Sequence, residues 1–402
     1  MELTNKQQEG LRIALQRYKD REKYTVISGY AGTGKSTLIK FIIAAMNLNP
    51  ESVRYVAYTG KAANVLKNKG CPGATTVHKL IYHAKLMPNG RYRFTPRTTG
   101  EMYQENIRVV VVDEVSMVPK RMWDLLCSYN FYILACGDPG QLPPVPDDSK
   151  EDPNNHVLDH PHIFLDEIMR QAQESEIIRL SMHVRQGKPI ATFPCKNEEV
   201  MIVDASEVTD SMLTWADQIL CATNRNKNKL NAQLRSIYNF DIAPQLNDKV
   251  INLHNEWDII SSHKNPLTNG IIGKIQEMQP DSIKYPFSLR MKELEVPVLY
   301  LSISGDEPDE TFDSLVIDYN ELVTGVPTLT RQEEYSIMKR YEMIIPLHFN
   351  FGYAITVWKA QGSEWGKVLL FSEPGWPKQP KDRIKYLYTG ITRAADRIVV
   401  AT

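Results

Sequence analysis

The chain has 402 residues, room for two or three domains each with a full hydrophobic core. Its 42% hydrophobic and 24% charged residues are those of a globular protein, and no apolar run approaches the ~20 residues of a membrane-spanning helix. With 47 basic and 48 acidic side chains the net charge is −1, which excludes a protein that grips nucleic acid by its overall charge. Cys71, Cys127, Cys136, Cys195 and Cys221 are scattered, with no C-x-x-C. They suit reduced thiols better than a disulfide frame or a zinc site. The polar start at residues 1–6 lacks the pattern of a secretory signal. A cytoplasmic protein with no membrane partner is the expectation.

In chain order, residues 3–11 begin an amphipathic helix with Thr4 as its N-cap. Tyr24-Thr25-Val26-Ile27-Ser28 is short, apolar and β-branched, the mark of a buried strand. It runs into Gly29-Tyr30-Ala31-Gly32-Thr33-Gly34-Lys35-Ser36, an unbroken G-x-x-x-x-G-K-[ST] pattern. Residues 36–47 then place Leu38, Ile39, Ile42, Ile43 and Met46 at helical spacing. Strand, glycine loop and helix together predict a phosphate cradle. Glycines let backbone N–H groups turn inward, and the helix N-terminus adds partial positive charge. Lys35 is predicted to reach the β- and γ-phosphates of a nucleoside triphosphate, and the Ser36 hydroxyl to hold Mg²⁺.

Residues 53–58 read as a second strand, followed by a helix starting at Thr59-Gly60-Lys61-Ala62-Ala63. Asn89-Gly90 is a hairpin turn signal, followed by the alternation Arg91-Tyr92-Arg93-Phe94. Val109-Val110-Val111-Val112 is a wholly apolar strand ending in Asp113-Glu114. Behind a phosphate loop, that pair is expected to divide the work. Asp113 would hold Mg²⁺ through water, and Glu114 would orient or deprotonate the attacking water. A strand at 131–136 leads to Gly137-Asp138-Pro139-Gly140-Gln141-Leu142-Pro143-Pro144, where Gln141 is placed to sense the γ-phosphate. A second βα series begins near Ile178, with a strand at 219–222 and a basic helix opening at Thr223-Asn224-Arg225. Between 248 and 341 the character changes. Strands at 249–253, 270–278, 298–304 and 315–319 alternate with turn residues and long helices are absent, which predicts a small β-barrel insert. The α/β pattern resumes at 351–357, 367–371 and 387–400. Two stretches carry four basic residues and no acid: Lys85, Arg91, Arg93 and Arg97 within 83–100, and Arg225, Lys227, Lys229 and Arg235 within 218–240. Each suits either a nucleic-acid backbone or an ordinary solvated face.

These motifs, in this order from Gln7 to Arg397, resemble the superfamily 1 helicases of the 5′-to-3′ branch, the RecD and Dda-like group. The resemblance rests on the phosphate loop, Thr59-Gly60-Lys61-Ala62-Ala63, Thr76-Val77-His78, Asp113-Glu114-Val115-Ser116-Met117 and the Gly137–Pro144 segment. Arg170-Gln171, Thr356-Val357-Trp358-Lys359-Ala360-Gln361-Gly362-Ser363-Glu364 and Tyr388-Thr389-Gly390-Ile391-Thr392-Arg393-Ala394 complete it. It is weakest between 248 and 340.

The resemblance implies an α/β fold of two RecA-like P-loop domains: residues 1–170, with a hairpin insert at about 82–105, then 171–247 with 342–402. An SH3-like β-barrel at 248–341 would be inserted in the second. ATP would sit in the cleft against Gln7, which reads adenine, and Gly32, Thr33, Gly34, Lys35, Ser36, Thr37 and Glu364. Catalysis would fall to Lys35, Glu114, Gln141, Arg170 and Arg393, with Mg²⁺ on Ser36 and Asp113. Nucleic acid would meet Thr59, Lys61, His78, Tyr92, Phe94, Asn224, Arg225, Thr356 and Trp358. The family usually has His where this chain has Trp358, a residue suited either to stacking on a base or to core packing. The implied activity is ATP-driven translocation on single-stranded DNA, 5′ to 3′, with unwinding at duplex forks. A RecD-like subunit working only in a larger complex, or a nucleotide switch without translocation, are the alternatives. Replication or recombination proteins are further expected partners, in a bacterial or phage-infected cell.

Overall fold

The computed structural model describes residues 3–86, 92–143, 154–169, 174–263, 265–286, 294–305, 309–341 and 343–402, with the side chains of Leu86, Tyr92 and Trp257 excepted. The chain forms two compact units. One comprises Met1–Tyr82, Pro96–Ala222 and Thr356–Thr402; the other comprises His83–Thr95 and Thr223–Ile355. Among the described residues no helix is long and apolar enough to cross a membrane.

The first unit holds two parallel sheets. In one the strand order is Thr75–Thr76, Val53–Ala57, Val109–Val112, Tyr132–Gly137, Tyr24–Gly29, Ile163–Leu165. Every neighbouring pair is parallel, with Val26 and Val112 both in register with Ala135. Because strand side chains alternate between faces, the four valines split. Val110 and Val112 pack with Ile81, Trp123 and Leu126, whereas Val109 and Val111 pack with Ala14, Leu38 and Ile42. Helices therefore cover both faces, which is why this strand is apolar throughout. The second sheet runs Gln218–Cys221, Trp365–Phe371, Ala394–Ala401, Val200–Val203, again parallel, with Ala354–Thr356 at its edge. Helix Pro380–Ile391 connects Trp365–Phe371 to Ala394–Ala401. The phosphate loop, Asp113-Glu114 and Asp138 all follow the carboxyl ends of strands in the first sheet, where open parallel sheets bind ligands.

The second unit opens with helix Asn224–Ile237, capped when Thr223 Oγ1 accepts from Asn226 N at 3.3 Å. An antiparallel sheet follows, in the order Thr311–Asp318, Leu294–Ser304, Ile272–Tyr285, Lys249–Asn252, Phe349–Phe351. Its outer strands are tied through Leu347, whose N donates to Val316 O at 2.7 Å and whose O accepts from Asp318 N at 3.1 Å. The sheet thus curls on itself. The arms Tyr82–Leu86 and Tyr92–Pro96 form a two-stranded ribbon, and its expected tip, Asn89-Gly90 with Arg91, lies outside the described residues.

Three local expectations need correction. The β-rich stretch does contain a sizeable helix, Arg331–Tyr341. Thr330 and Glu333 cap its start reciprocally, and Ile337 anchors it beside Tyr285, Val316 and Leu329. The stretch given as 351–357 is not one continuous element but two strands, Phe349–Phe351 and Ala354–Thr356, running into a short helix. Between them Gly352 lies so close to the Val250 backbone that a Cβ would meet it at 3.0 Å, and Asn231 takes up the N–H of Ala354 and the carbonyls of Phe351 and Ala354. Arg235, counted in a basic run, does not lie on a solvated face. It is buried in a two-point ion pair with Asp248 at 3.0 and 3.1 Å and stacks on Phe351.

Candidate functional site: a nucleotide cleft and its strand-contact residues

The phosphate loop has the backbone its glycines were expected to permit. Gly32 and Gly34 sit at φ +75° and +79°, where a side chain would be strained. Lys35 starts helix Lys35–Met46 and donates to the carbonyls of Gly29 at 2.8 Å and Tyr30 at 3.0 Å, so its ammonium is curled inside the loop. Ser36 is exposed and Thr37 half-buried on that first turn, while Thr33 is buried with its hydroxyl on Tyr30 O. Gln7 is 1% exposed against the loop. Its Oε1 accepts from Thr4 N at 3.0 Å in a capping box, and its Nε2 faces the carbonyls of Thr33 and Gly34 at 3.4 Å each.

Asp113 and Glu114 leave the apolar strand side by side. Asp113 Oδ1 accepts from Glu114 N at 3.0 Å and from the Cys136 thiol at 2.9 Å. Burial, then the charge of Asp113, pushes the Cys136 thiol well up, so it remains a donor. Glu114 occupies the left-handed region at φ +50°. Its carboxyl is raised above the usual range, first by burial and then by the Asp113 charge, with Arg393 and Lys35 pulling the other way. Gln141 Nε2 reaches Glu114 Oε1 at 3.4 Å, while Glu114 Oε2 and Gln141 Oε1 are buried without a hydrogen-bond partner. Two crowded carboxylates beside a hydroxyl-bearing loop offer hard oxygen donors that fit Mg²⁺, and Asp113 and Ser36 are the residues that could hold it.

Elements of the second sheet complete the cleft. Arg393 is 7% exposed, with Nε on Thr389 O, Nη1 on Ser363 O and Nη2 on Thr392 Oγ1, each at 3.1 Å. Gly362, at φ +76°, approaches Ala62 so closely that a Cβ would meet its methyl at 2.9 Å. This brings Thr59-Gly60-Lys61-Ala62-Ala63 against the Thr356–Glu364 stretch; Glu364 itself is exposed. Arg170 lies outside the described residues.

Of the expected strand contacts, Thr59 caps helix Gly60–Asn68 and Lys61 lies over the Trp365 ring at 5.3 Å. His78 lies among Tyr58 and Tyr82 at centroid separations of 5.5 and 6.1 Å, and burial lowers its pKa, keeping the imidazole neutral. Thr356 begins the short helix Val357–Ala360, and half-buried Trp358 packs on Tyr386 at 5.9 Å. In the second unit Asn224 and Arg225 are exposed on the first turn of their helix, and Phe94 on the ribbon is 47% exposed. The Tyr92 side chain lies outside the described residues. Sequence reasoning assigned no role to Tyr388 or Arg185. Tyr388 OH accepts from Ala31 N at 3.0 Å and donates to Asp138 Oδ2 at 2.6 Å, and the Arg185 guanidinium lies 3.3 Å over the Tyr30 ring. Only the position of Tyr388 inside a recognised motif hinted at the first, and nothing in the sequence signalled the second.

A family model described as "AAA domain" matches residues 2–206, more than half of the chain. The chain belongs to the AAA-domain family. Residues 351–401 also match the UvrD-like helicase C-terminal domain, in keeping with the resemblance to superfamily 1 helicases of the RecD and Dda-like group. The chain is similar to the ATP-dependent RecD2 DNA helicase of Deinococcus radiodurans, at 25% identity over 94% of this chain and 47% of that protein. It is also similar to the ATP-dependent DNA helicase dda of Enterobacteria phage T4, at 26% identity over 46% of this chain and 43% of that one. The chain spans about half the length of the curated relatives it matches. Its fold resembles the Pif1 helicase from Bacteroides solved with ADP-AlF3 and ssDNA, with a TM-score of 0.55 and 16% identity over all of this chain and 93% of that one. The α/β architecture of RecA-like parallel sheets is thereby established for the AAA-family chain.

Proposed function

We propose that this protein is an ATP-driven motor that translocates on single-stranded DNA and unwinds duplex. The observation carrying the reading is the convergence of groups from both parallel sheets around one phosphate loop: Lys35, Asp113, Glu114 and Gln141 from the first, Arg393 and Tyr388 from the second. A cleft lined from two sheets would close on its nucleotide and open on release, the motion a translocating motor needs. Mg²⁺, when bound to Asp113 and Ser36, would neutralise charge on the phosphates. Lys35 would leave the Gly29 and Tyr30 carbonyls for the β- and γ-phosphates. Glu114, with its raised proton affinity and an unpartnered oxygen, accepts the proton of the attacking water. Arg393 and Arg170 would meet the developing charge, an arginine contribution worth ~10³–10⁵ in rate in other phosphoryl-transfer enzymes.

On the DNA side, Thr59, Lys61, His78, Thr356 and Trp358 would grip the strand; Asn224 and Arg225 of the second unit are proposed strand contacts in their own right. The neutral His78 suits hydrogen bonding and stacking rather than ion pairing. The finer parts belong to the same reading: a division into two motor domains, a hairpin insert that splits the fork, an SH3-like insert suggested by the curled sheet tied through Leu347, and 5′-to-3′ polarity. The deciding experiment measures ATP turnover with and without single-stranded DNA. Stimulation of tenfold or more, with unwinding of a tailed duplex, is expected. Turnover that ignores DNA would leave only a nucleotide switch.

A further inference from the structure

The turn that carries Gln141 is gripped from the second sheet on both sides. Leu142 N donates to Thr389 Oγ1 at 3.0 Å and Leu142 O accepts from Gln361 Nε2 at 3.0 Å. On the other side, Asp138 is 1% exposed; its Oδ1 accepts from Gly140 N at 2.8 Å and its carbonyl accepts from Gln141 N at 3.2 Å. Its remaining oxygen, Oδ2, accepts a hydrogen bond from the Tyr388 hydroxyl at 2.6 Å. The Tyr388 ring lies flush on the turn, since a Cβ on Gly140 would sit 2.8 Å from its Cε1. Burial, reinforced by Asp138, keeps this phenol protonated, so it has one proton to give and lone pairs to accept with. Both capacities are used: the hydroxyl donates to Asp138 and a lone pair takes Ala31 N–H.

We propose that the Tyr388 hydroxyl is a positioning group for ATP hydrolysis. It ties Ala31 of the phosphate loop to the Asp138 turn, so that Gln141 is set beside Glu114 only while the second-sheet helix Pro380–Ile391 is drawn against the loop. The path is short: Tyr388 to Asp138, Asp138 to Gln141, Gln141 to Glu114. Arg185, stacked on the neighbouring Tyr30, holds the same end of the loop from the same side of the cleft. Glu114 acts on the water, Arg393 on developing charge, and Tyr388 on neither. It links hydrolysis to closure. This rests on the ATPase reading above.

The test is Tyr388→Phe in the full chain, beside Asp138→Asn and the double variant. The phenylalanine keeps the ring on Gly140 and removes only the shared hydroxyl. DNA-stimulated kcat is expected to fall about tenfold or more, the loss of a hydrogen bond to a charged group. The KM for ATP and the Kd for a fluorescent ATP analogue should move less than about threefold, because the loop still binds phosphate. The double variant should be no slower than Asp138→Asn alone, since both break one path. A wild-type kcat in Tyr388→Phe, a loss confined to KM and Kd, or strictly additive losses would each overturn the proposal. Should Tyr388→Phe unfold, Asp138→Asn, which keeps an acceptor for Gly140 N–H, is expected to show the same kcat loss, and a wild-type kcat there overturns it. A wild-type chain that hydrolyses no ATP sinks the underlying reading instead.

Discussion

Glu114 holds a left-handed backbone conformation that costs a non-glycine residue ~1–3 kcal/mol. The neighbouring Asp113 repels its charge, and one of its oxygens has no partner. These three costs support the proposed role of Glu114 in chemistry. Glu114→Gln should therefore lower ATP turnover by ~10²-fold or more while nucleotide still binds, because the amide cannot take a proton from water. Lys35→Ala should abolish turnover and weaken nucleotide binding as well, since its ammonium is the positive charge inside the loop. Turnover assays and fluorescent-nucleotide titrations distinguish the two; wild-type turnover in Glu114→Gln would remove its assignment. These residues were legible because spacing alone defines a phosphate loop and an acid pair at a strand end. Tyr388 and Asp138 were not, because their partners are 250 residues apart in sequence and neither stands in a chemical pattern of its own. Arg235 misled for a similar reason, because its partner Asp248 lies beyond the end of the run in which it was counted.

At the scale of elements, strands with buried faces announce themselves and polar helices do not. Helix Arg331–Tyr341 buries Ile337 beside Tyr285, Val316 and Leu329, and its position also depends on a contact that sequence could not reveal. His348 Nδ1 lies 2.6 Å from Glu321 Oε2 of helix Tyr319–Thr324, and its Nε2 lies 3.2 Å from Glu334 Oε1 of Arg331–Tyr341. Burial lowers the pKa of this histidine, but hydrogen bonds to and charges on the two glutamates outweigh it and raise it to about 10 from an ordinary 6.5. A raised folded-state value gives stability that is full below about pH 6.5 and is lost as pH climbs through about 10. The unfolding midpoint should therefore fall across that window, and His348→Gln should lower it at neutral pH and flatten the slope. An unchanged slope in the variant would refute the clamp. The ribbon Tyr82–Leu86 with Tyr92–Pro96 carries the proposed fork wedge, with Phe94 exposed as a flat surface for a terminal base pair. Tyr92→Ala with Phe94→Ala is expected to keep most DNA-stimulated ATPase while unwinding falls several-fold. Equal loss of both would assign the ribbon to folding or DNA binding, and loss of neither would sink the wedge.

Across the whole molecule, the α/β character and the parallel sheets were legible because glycine loops and apolar strands alternate with helical spacing. The curl of the second unit's sheet comes from the tie through Leu347, which joins backbone groups that no side-chain pattern marks. The near-zero net charge has a consequence for the motor reading. With 47 basic against 48 acidic side chains, a proposed DNA strand would not be drawn in by a global field, so its grip would rest on local contacts. Affinity for single strands should then fall with salt at ~0.7 in log slope per phosphate contacted, and a grip on few phosphates should give a shallow total slope. On the proposed motor reading, each hydrolysis cycle would shift the grip from one sheet's loops to the other's. The order of grip and release sets the direction. That order is taken from the RecD and Dda-like resemblance, which predicts 5′ to 3′. Partial duplexes with a single 5′ or 3′ tail decide it when unwinding is followed at saturating ATP and low salt. Strand separation is expected from the 5′-tailed substrate at a rate at least about tenfold above the 3′-tailed one, with both tails stimulating ATPase because both can be gripped. Efficient unwinding from the 3′ tail alone would reverse the polarity while leaving the hydrolytic cleft intact. Equal unwinding from both would mean that fork melting, not directional movement, separates the strands.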